Sequence, residues 1–318
     1  MPLTIEQILR GTEVGGRQSV GQMEVIPIVG EDNSDFAPPD FRASTRSYGT
    51  VNVRNDADRP SIVPPGAGWV VDQAAQDHAV CSGALMASNS SRKLEKACCV
   101  QETQGGLIRE SQGNMIILPA TLRSPALGVR HESEYSRLWN LIRAFKESVG
   151  LNGAGNLVDF IKAFKKQLDE FVAEFELVPR QVGAIVLVGG KVVGVERAPS
   201  VSFWEKLWEP LIRVCYGSLA VQVAQGNALP PSTRTALTVG NKSLEGLQAA
   251  LQEATERDQE ITDKVVTETQ ALQLQESEQP DEKMGSFTLR TVASRLLSGQ
   301  IVCDEDELRY ASLCMSGT

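Results

Sequence analysis

The sequence predicts an α+β fold: a mostly antiparallel β-sheet in the N-terminal half, packed with amphipathic helices, followed by a helical C-terminal extension. Three observations carry this reading. Over roughly the first 120 residues, short apolar runs alternate with Pro-, Gly- and Asp-rich stretches; from Ser133 apolar residues recur at three- and four-residue spacing; and residues 241–277 are rich in Glu, Gln and Thr. Period-two alternation marks a half-buried strand, and a period near 3.6 marks a helix with one apolar face. The expected division is a core domain over residues 1–240 and an extension over 241–318, with a polar linker at 275–285.

The first strand is Met23-Glu24-Val25-Ile26-Pro27-Ile28-Val29, and residues 48–53 alternate in the period-two manner. Between them, residues 30–45 carry Pro, Asp and Ser and read as a long surface loop. Further strands are expected at 61–63, 68–71, 79–87, 97–101 and 114–118, separated by turn formers such as Pro64-Pro65-Gly66 and Gly105-Gly106. The helical half opens with Tyr135, Leu138, Trp139, Ile142 and Phe145 on one face. A second helix follows Gly153-Ala154-Gly155-Asn156, with Leu157, Phe160, Ile161, Phe164, Leu168, Phe171 and Phe175 as its stripe and Lys162, Lys165 and Lys166 on the solvated side. Two apolar runs flanking Gly189-Gly190 are a hairpin signal. Residues 202–223 read as an amphipathic helix in which Pro210 marks a start or a kink. In the extension an exposed helix, the linker and a short helix over 291–297 complete the chain.

With 318 residues, 42% hydrophobic and 22% charged, the composition is that of a folded soluble protein with a sizeable core. A net charge of -9 argues against a general nucleic-acid or anionic-membrane binder, since both require clustered Lys and Arg. No apolar run is long enough to span a bilayer, and residues 1–22 lack the basic-then-apolar profile of a signal peptide, so a cytoplasmic location is expected. The six cysteines are expected as free thiols there.

The densest chemistry lies in residues 64–108, where Gln73, Gln76, Asp77 and His78 precede Cys98-Cys99-Val100-Gln101-Glu102. Polar side chains inside apolar segments are costly without partners or a task. His78 is a catalytic or ligand-contacting group, or a satisfied structural histidine. Asp77 is its neighbour, but consecutive residues on a strand point to opposite faces, so the two cannot pair directly there. By the same rule at most one of Cys98 and Cys99 faces a pocket. A Cys99–His78 dyad is the arrangement that would activate a thiol; a buried, inert Cys99 is the plain alternative. The amides of Gln73 and Gln76 would share a face of a helical turn and suit a nucleobase or ribose edge, or a tied-down loop. Trp208 and Tyr216 either line a pocket or pack in the core. With two histidines, no Cys-x-x-Cys and no His-x-x-x-His, there is no metal pattern, and the glycines lack a dinucleotide fingerprint, so the residues name no cofactor.

Three stretches together resemble a known family. They are Met23-Glu24-Val25-Ile26-Pro27-Ile28 with Val51-Asn52-Val53-Arg54-Asn55 and Arg59-Pro60-Ser61-Ile62-Val63-Pro64; the turn leading to Gln76 with Cys99-Val100-Gln101-Glu102; and Val182-Gly183-Ala184-Ile185 through Gly189-Gly190-Lys191-Val192-Val193-Gly194 to Phe203, Leu207-Trp208, Leu211 and Tyr216. In order and separation they are similar to the ARG-and-rhodanese-phosphatase-superfamily-associated protein domain, named for gene neighbourhoods containing ADP-ribosylglycohydrolases and rhodanese-phosphatases. The resemblance implies a compact α+β domain linked by association to ADP-ribose or NAD metabolism and to conflict with phages, with no established activity.

Two functions are therefore expected as alternatives. One is an accessory or processing protein that binds a nucleotide-like or ADP-ribose-related small molecule, with Gln73, Gln76, Asp77, His78, Gln101 and Glu102 near the site. The other is a non-catalytic assembly protein whose residues 241–318 dock a protein partner or a second copy.

Overall fold

The fold is organised around one hairpin. Gln181–Val188 and Lys191–Arg197 pair antiparallel across Gly189-Gly190, whose φ values of 58° and 73° meet the positive-φ demand of a tight hairpin turn. The structure, a computed structural model, describes residues 3–32, 35–70, 77–103, 105–112, 115–226 and 244–316. Among the described residues, this hairpin lies within an 11-stranded antiparallel sheet. Met23–Gly30 pairs on one side of it and Glu307–Met315 on the other. Beyond Glu307–Met315 come Leu297–Asp304, Phe287–Ala293, Gln273–Glu276 and Leu3–Thr4, and the whole sheet is curled like half a barrel.

This arrangement overturns the expected helical C-terminal extension. Among the described residues only Leu244–Gln270 is helical there; from Gln273 onward the chain forms Gln273–Glu276, Glu282–Met284, Phe287–Ala293, Leu297–Asp304 and Glu307–Met315, and the segment expected as a helix over 291–297 ends one strand and begins the next. The expected linker at 275–285 likewise contributes strand at both ends. The reason is that these strands pair at long range, for example Gly194 with Cys314, and Leu297–Asp304 is covered on both faces, which erases the alternation that marks a half-buried strand.

Both faces of the sheet are covered. On one, Ala184, Val186 and Val188 belong to a core with Phe203, Leu207 and Leu211; on the other, Ile185 and Leu187 pack with Ile26, Ile28, Leu313, Ile5, Ile8 and Val266. That is why every residue of Gln181–Val188 is buried. The helix Val201–Glu209 starts at Ser200, whose hydroxyl accepts from the Phe203 N–H at 3.1 Å. Pro210 then neither starts nor breaks the column. It opens a π-helical segment, Pro210–Tyr216, in which the Gly217 N–H reaches back to the Ile212 carbonyl, before Gly217–Gly226 resumes as α-helix. The loop expected over 30–45 is partly inside: Phe36 and Phe41 are buried and Arg42–Ser44 is a strand.

Leu244–Gln270 packs through its C-terminal half, where Ile261, Thr262, Val265, Val266 and Thr269 form one buried or half-buried face. Arg17 anchors it: the guanidinium meets Glu24 at 2.6 Å and Asp258 with its Nε at 3.1 Å.

Inside the first core lies a buried polar network. The Arg123 guanidinium, on the helix Ala120–Gly128, donates to Glu196 at 2.7 Å and to the Ser312 hydroxyl at 2.6 Å, while the Tyr216 hydroxyl donates to the same Glu196 oxygen at 2.6 Å. Burial is the largest influence and opposes the charge on Arg123, but Glu196 together with Cys215, Cys314 and Tyr216 outweighs it, and the guanidinium is held well above its ordinary range. Gly194 is required for this: a Cβ there would stand 2.0 Å from the Tyr216 hydroxyl. Removing one member of a buried pair strands the other charge. Arg123→Met should therefore cost about 3–5 kcal/mol in urea unfolding, with part of it recovered in Arg123→Met/Glu196→Met. A loss below about 1 kcal/mol would show that the network does not hold the core together.

Candidate functional site

His78–Ala79 and Cys98–Cys99 are two short paired strands in a sheet with Ala67–Trp69 and Met115–Ile117. Cys99 stands directly opposite His78 and Cys98 opposite Ala79. Directly opposed residues share a face, so the sheet does bring His78 and Cys99 together, with Cys98 on the other side.

Their chemistry is nevertheless restrained. His78 is fully buried, and its Nε2 accepts the Gly49 N–H at 3.1 Å. A ring nitrogen that accepts carries no proton, so Nε2 is committed to the backbone rather than free to take one from a thiol. The Tyr48 ring lies parallel to it at 6.5 Å, and Tyr135 and Trp139 continue the aromatic row. The Cys99 thiol donates to the Gln101 carbonyl at 3.2 Å, and burial pushes it up to about 11, so it stays protonated at neutral pH. Asp77 is buried close to Cys99, and its carbonyl accepts the Val100 N–H at 2.9 Å. Gln101 is buried as well and forms a bridge with Asn156.

Glu102 is a clamp. Its carboxylate accepts the Gly155 N–H at 2.6 Å and both forks of Arg143 at 3.1 Å, which fixes the 153–156 turn against the strand end. Trp208 and Tyr216 are elsewhere. Trp208 packs edge-on to Trp204 at 5.9 Å and Tyr216 is committed to Glu196, both within the core of the helical column. Gln73 and Gln76 lie outside the described residues.

The open space is next door, where the chain leaves His78–Ala79. Val80 to Ala84, Arg92 to Glu95 of the strand Ser90–Glu95 with Lys96, Arg130 and His131, and Asp281 and Glu282 line a cavity of about 420 Å³. Its floor is a hydrogen-bonded network: the Gly83 N–H donates to Gln300 Oε1 at 2.7 Å, and Gln300 Nε2 donates to the Ser82 hydroxyl at 2.9 Å and to Asp281 at 3.1 Å. Arg130 pairs with Asp281 at 3.1 Å and Arg92 pairs with Glu282. Lys96 and His131 are exposed and have no acidic partner among the described residues.

Lys96, Arg130, His131 and Gln300 are absent from the sequence-based set of site residues. The basic run Arg92-Lys93 to Lys96 and the pair Arg130-His131 are visible signals, though each alone reads as a solvated face. Gln300 has no signal, because only the sheet places it under Gly83. Among the described residues, no three His, Cys, Asp or Glu side chains gather as a metal site, and no helix is long and apolar enough to cross a membrane.

The Glu102 clamp has a pH signature. The Gly155 N–H first, and Arg143 after it, hold this carboxyl below the usual carboxylate range. A depressed folded-state value adds stability above the ordinary value of about 4.3, lost as pH falls through the lower folded value. The stability gap between the wild type and Glu102→Gln, measured by urea unfolding, should be full at neutral pH and close in acid; a pH-independent gap would contradict the clamp.

Neither curated proteins nor solved structures give a match. The model of the ARG and rhodanese-phosphatase-superfamily-associated protein domain, in contrast, matches residues 11–297, spanning the central hairpin, the His78–Cys99 strand pair and the cavity-lining residues from Val80 to Leu289, and the chain belongs to that family.

Proposed function

We propose that this protein binds a small phosphate-bearing, nucleotide-like ligand of the ADP-ribose class in the cavity beside Cys81 to Ala84, as a cytoplasmic accessory or processing factor in a bacterial or phage conflict pathway. One observation carries the binding reading. Lys96 and His131 stand at a cavity of about 420 Å³ without acidic partners among the described residues, above a floor of hydrogen-bonding groups. That volume falls in the usual range for small-molecule sites, and the Lys96 ammonium beside an imidazole that can donate a hydrogen bond is suited to phosphate. The ADP-ribose class comes from the family association. Asp77, His78, Cys99 and Gln101 then act as the frame that carries the floor rather than as groups that touch the ligand. A net charge of -9 supports a small ligand over a nucleic acid or an anionic membrane.

A ligand selective for the folded state stabilises it by about 2.7 kcal/mol at a hundred times its Kd. Thermal melts with ADP-ribose, NAD, ADP and inorganic phosphate should show a rise of several degrees with at least one of the nucleotides, and Lys96→Ala/His131→Ala should remove most of it. No rise with any of the four, or a rise that survives the double substitution, would overturn the reading.

A second reading is self-assembly through the extension, and a specific observation favours it. Leu247 and Leu251 are 40% and 47% exposed on the N-terminal half of Leu244–Gln270, in line with the apolar seam by which the C-terminal half packs. If a second copy covers that seam, sedimentation velocity should show a dimer that Leu247→Glu/Leu251→Glu dissociates; a monomeric wild type at high micromolar concentration would exclude it.

A further inference from the structure

Two thiols meet under the cavity. Cys81 lines it, Cys98 is fully buried behind, and their sulfurs are 2.7 Å apart. A disulfide needs about 2.0 Å between sulfurs, so closing the bond calls for a shift of less than about 1 Å. The strand pairing already holds the backbones in place, since Cys98 is opposite Ala79, two residues before Cys81. Arg137 completes the arrangement: its Nη2 lies 3.4 Å from the Cys81 sulfur and also donates to the Lys96 carbonyl.

We infer that Cys81 and Cys98 form a peroxide-sensitive dithiol site, in which Cys81 is the attacking sulfur and Cys98 the resolving one. The division of labour follows from position. Cys81 faces the space through which a small oxidant enters and has the Arg137 guanidinium in direct contact with its sulfur, whereas Cys98 is fully buried behind it. The thiol balance agrees: the hydrogen bond from Cys98, ahead of the opposing burial and with Arg137 helping, draws the Cys81 thiol below its ordinary range, and the same contact together with burial drives Cys98 far upward. A lowered thiol next to a cation is the setting in which a cysteine oxidises selectively.

The chemistry balances with hydrogen peroxide as the oxidant. The Cys81 sulfur, as thiolate, attacks one peroxide oxygen; the O–O bond breaks, an S–O bond forms, and hydroxide leaves. Cys98 then attacks the Cys81 sulfur; the S–O bond breaks, the S–S bond forms, and water departs with the Cys98 proton. The two thiols together lose two electrons and the peroxide gains them. A thiol reductant reverses the bond by exchange.

This site goes beyond the ligand reading and does not rest on it, since the bond is read by mass alone. The full chain is treated with hydrogen peroxide, quenched, alkylated under denaturing conditions and mapped by peptide mass. Expected are the loss of two hydrogens, one cross-linked peptide joining Cys81 to Cys98, and restoration by dithiothreitol. Cys98→Ser should trap Cys81 as a dimedone-reactive sulfenic acid, and Cys81→Ser should leave Cys98 reduced. Free Cys81 and Cys98 after treatment, a wild-type Cys81 that stops at sulfenic or proceeds to sulfinic acid, or a cross-link to any other cysteine would each overturn the assignment. The wild-type map decides the matter even where a variant folds poorly.

Discussion

The carboxylate of Glu196 is the point on which the architecture turns. It sits on a central strand, buried, and holds the Arg123 guanidinium and the Tyr216 hydroxyl, while Arg123 reaches on to Ser312 in the neighbouring strand. Four parts of the chain are thus tied at one place: the helix Ala120–Gly128, the hairpin, the π-helical segment and Glu307–Met315. A buried ion pair adds little net stability compared with a well-packed apolar cluster, but it tolerates few alternatives. The glycine at 194 is part of the same constraint, because only there can the tyrosine ring cross the strand. The extra residue per turn in Pro210–Tyr216 sets the phase in which Tyr216 meets it.

The cavity depends on the same assembly. Its floor is a joint product of the N-terminal small sheets, which bring Ser82 and Gly83, and the C-terminal strands, which bring Gln300 and Asp281. Neither half encloses the space alone. The His78–Cys99 strand pair stands one step behind, with its polar atoms committed to backbone partners such as Gly49 and Gln101. Groups satisfied in this way give rigidity, and rigidity in the frame lets the exposed Lys96 and His131 be placed rather than merely present.

Much of this was legible residue by residue. The Gly189-Gly190 hairpin follows from two positive-φ positions between apolar runs, and the opposite facing of Cys98 and Cys99 follows from strand geometry. The concentration of polar residues around Asp77, His78 and Gln101 was visible, as was the helical stripe ending at Phe175. What could not be read was anything that depends on partners far along the chain. Phe287–Ala293 and Leu297–Asp304 show no clean alternation, so their strand character appears only once the neighbours are known. Gln300 is an ordinary glutamine until the sheet sets it under Gly83. Trp208 and Tyr216 show the opposite limit: aromatic residues at helical spacing look the same whether they line a site or fill a core.

The position of Glu307–Met315 carries a consequence for how the molecule comes into being. This strand is not an edge: it lies between Lys191–Arg197 and Leu297–Asp304, and joins residues more than a hundred positions apart, Arg197 with Ala311 for example. During synthesis the hairpin emerges well before the strand that covers its flank, leaving Lys191–Arg197 as a bare, apolar edge for the interval. Such an edge is open to pairing with other chains, and pairing at long sequence separation is slow because loop closure precedes its reward. The growing chain therefore carries an unfinished sheet until Glu307–Met315 emerges, and the flank of the hairpin is covered only then.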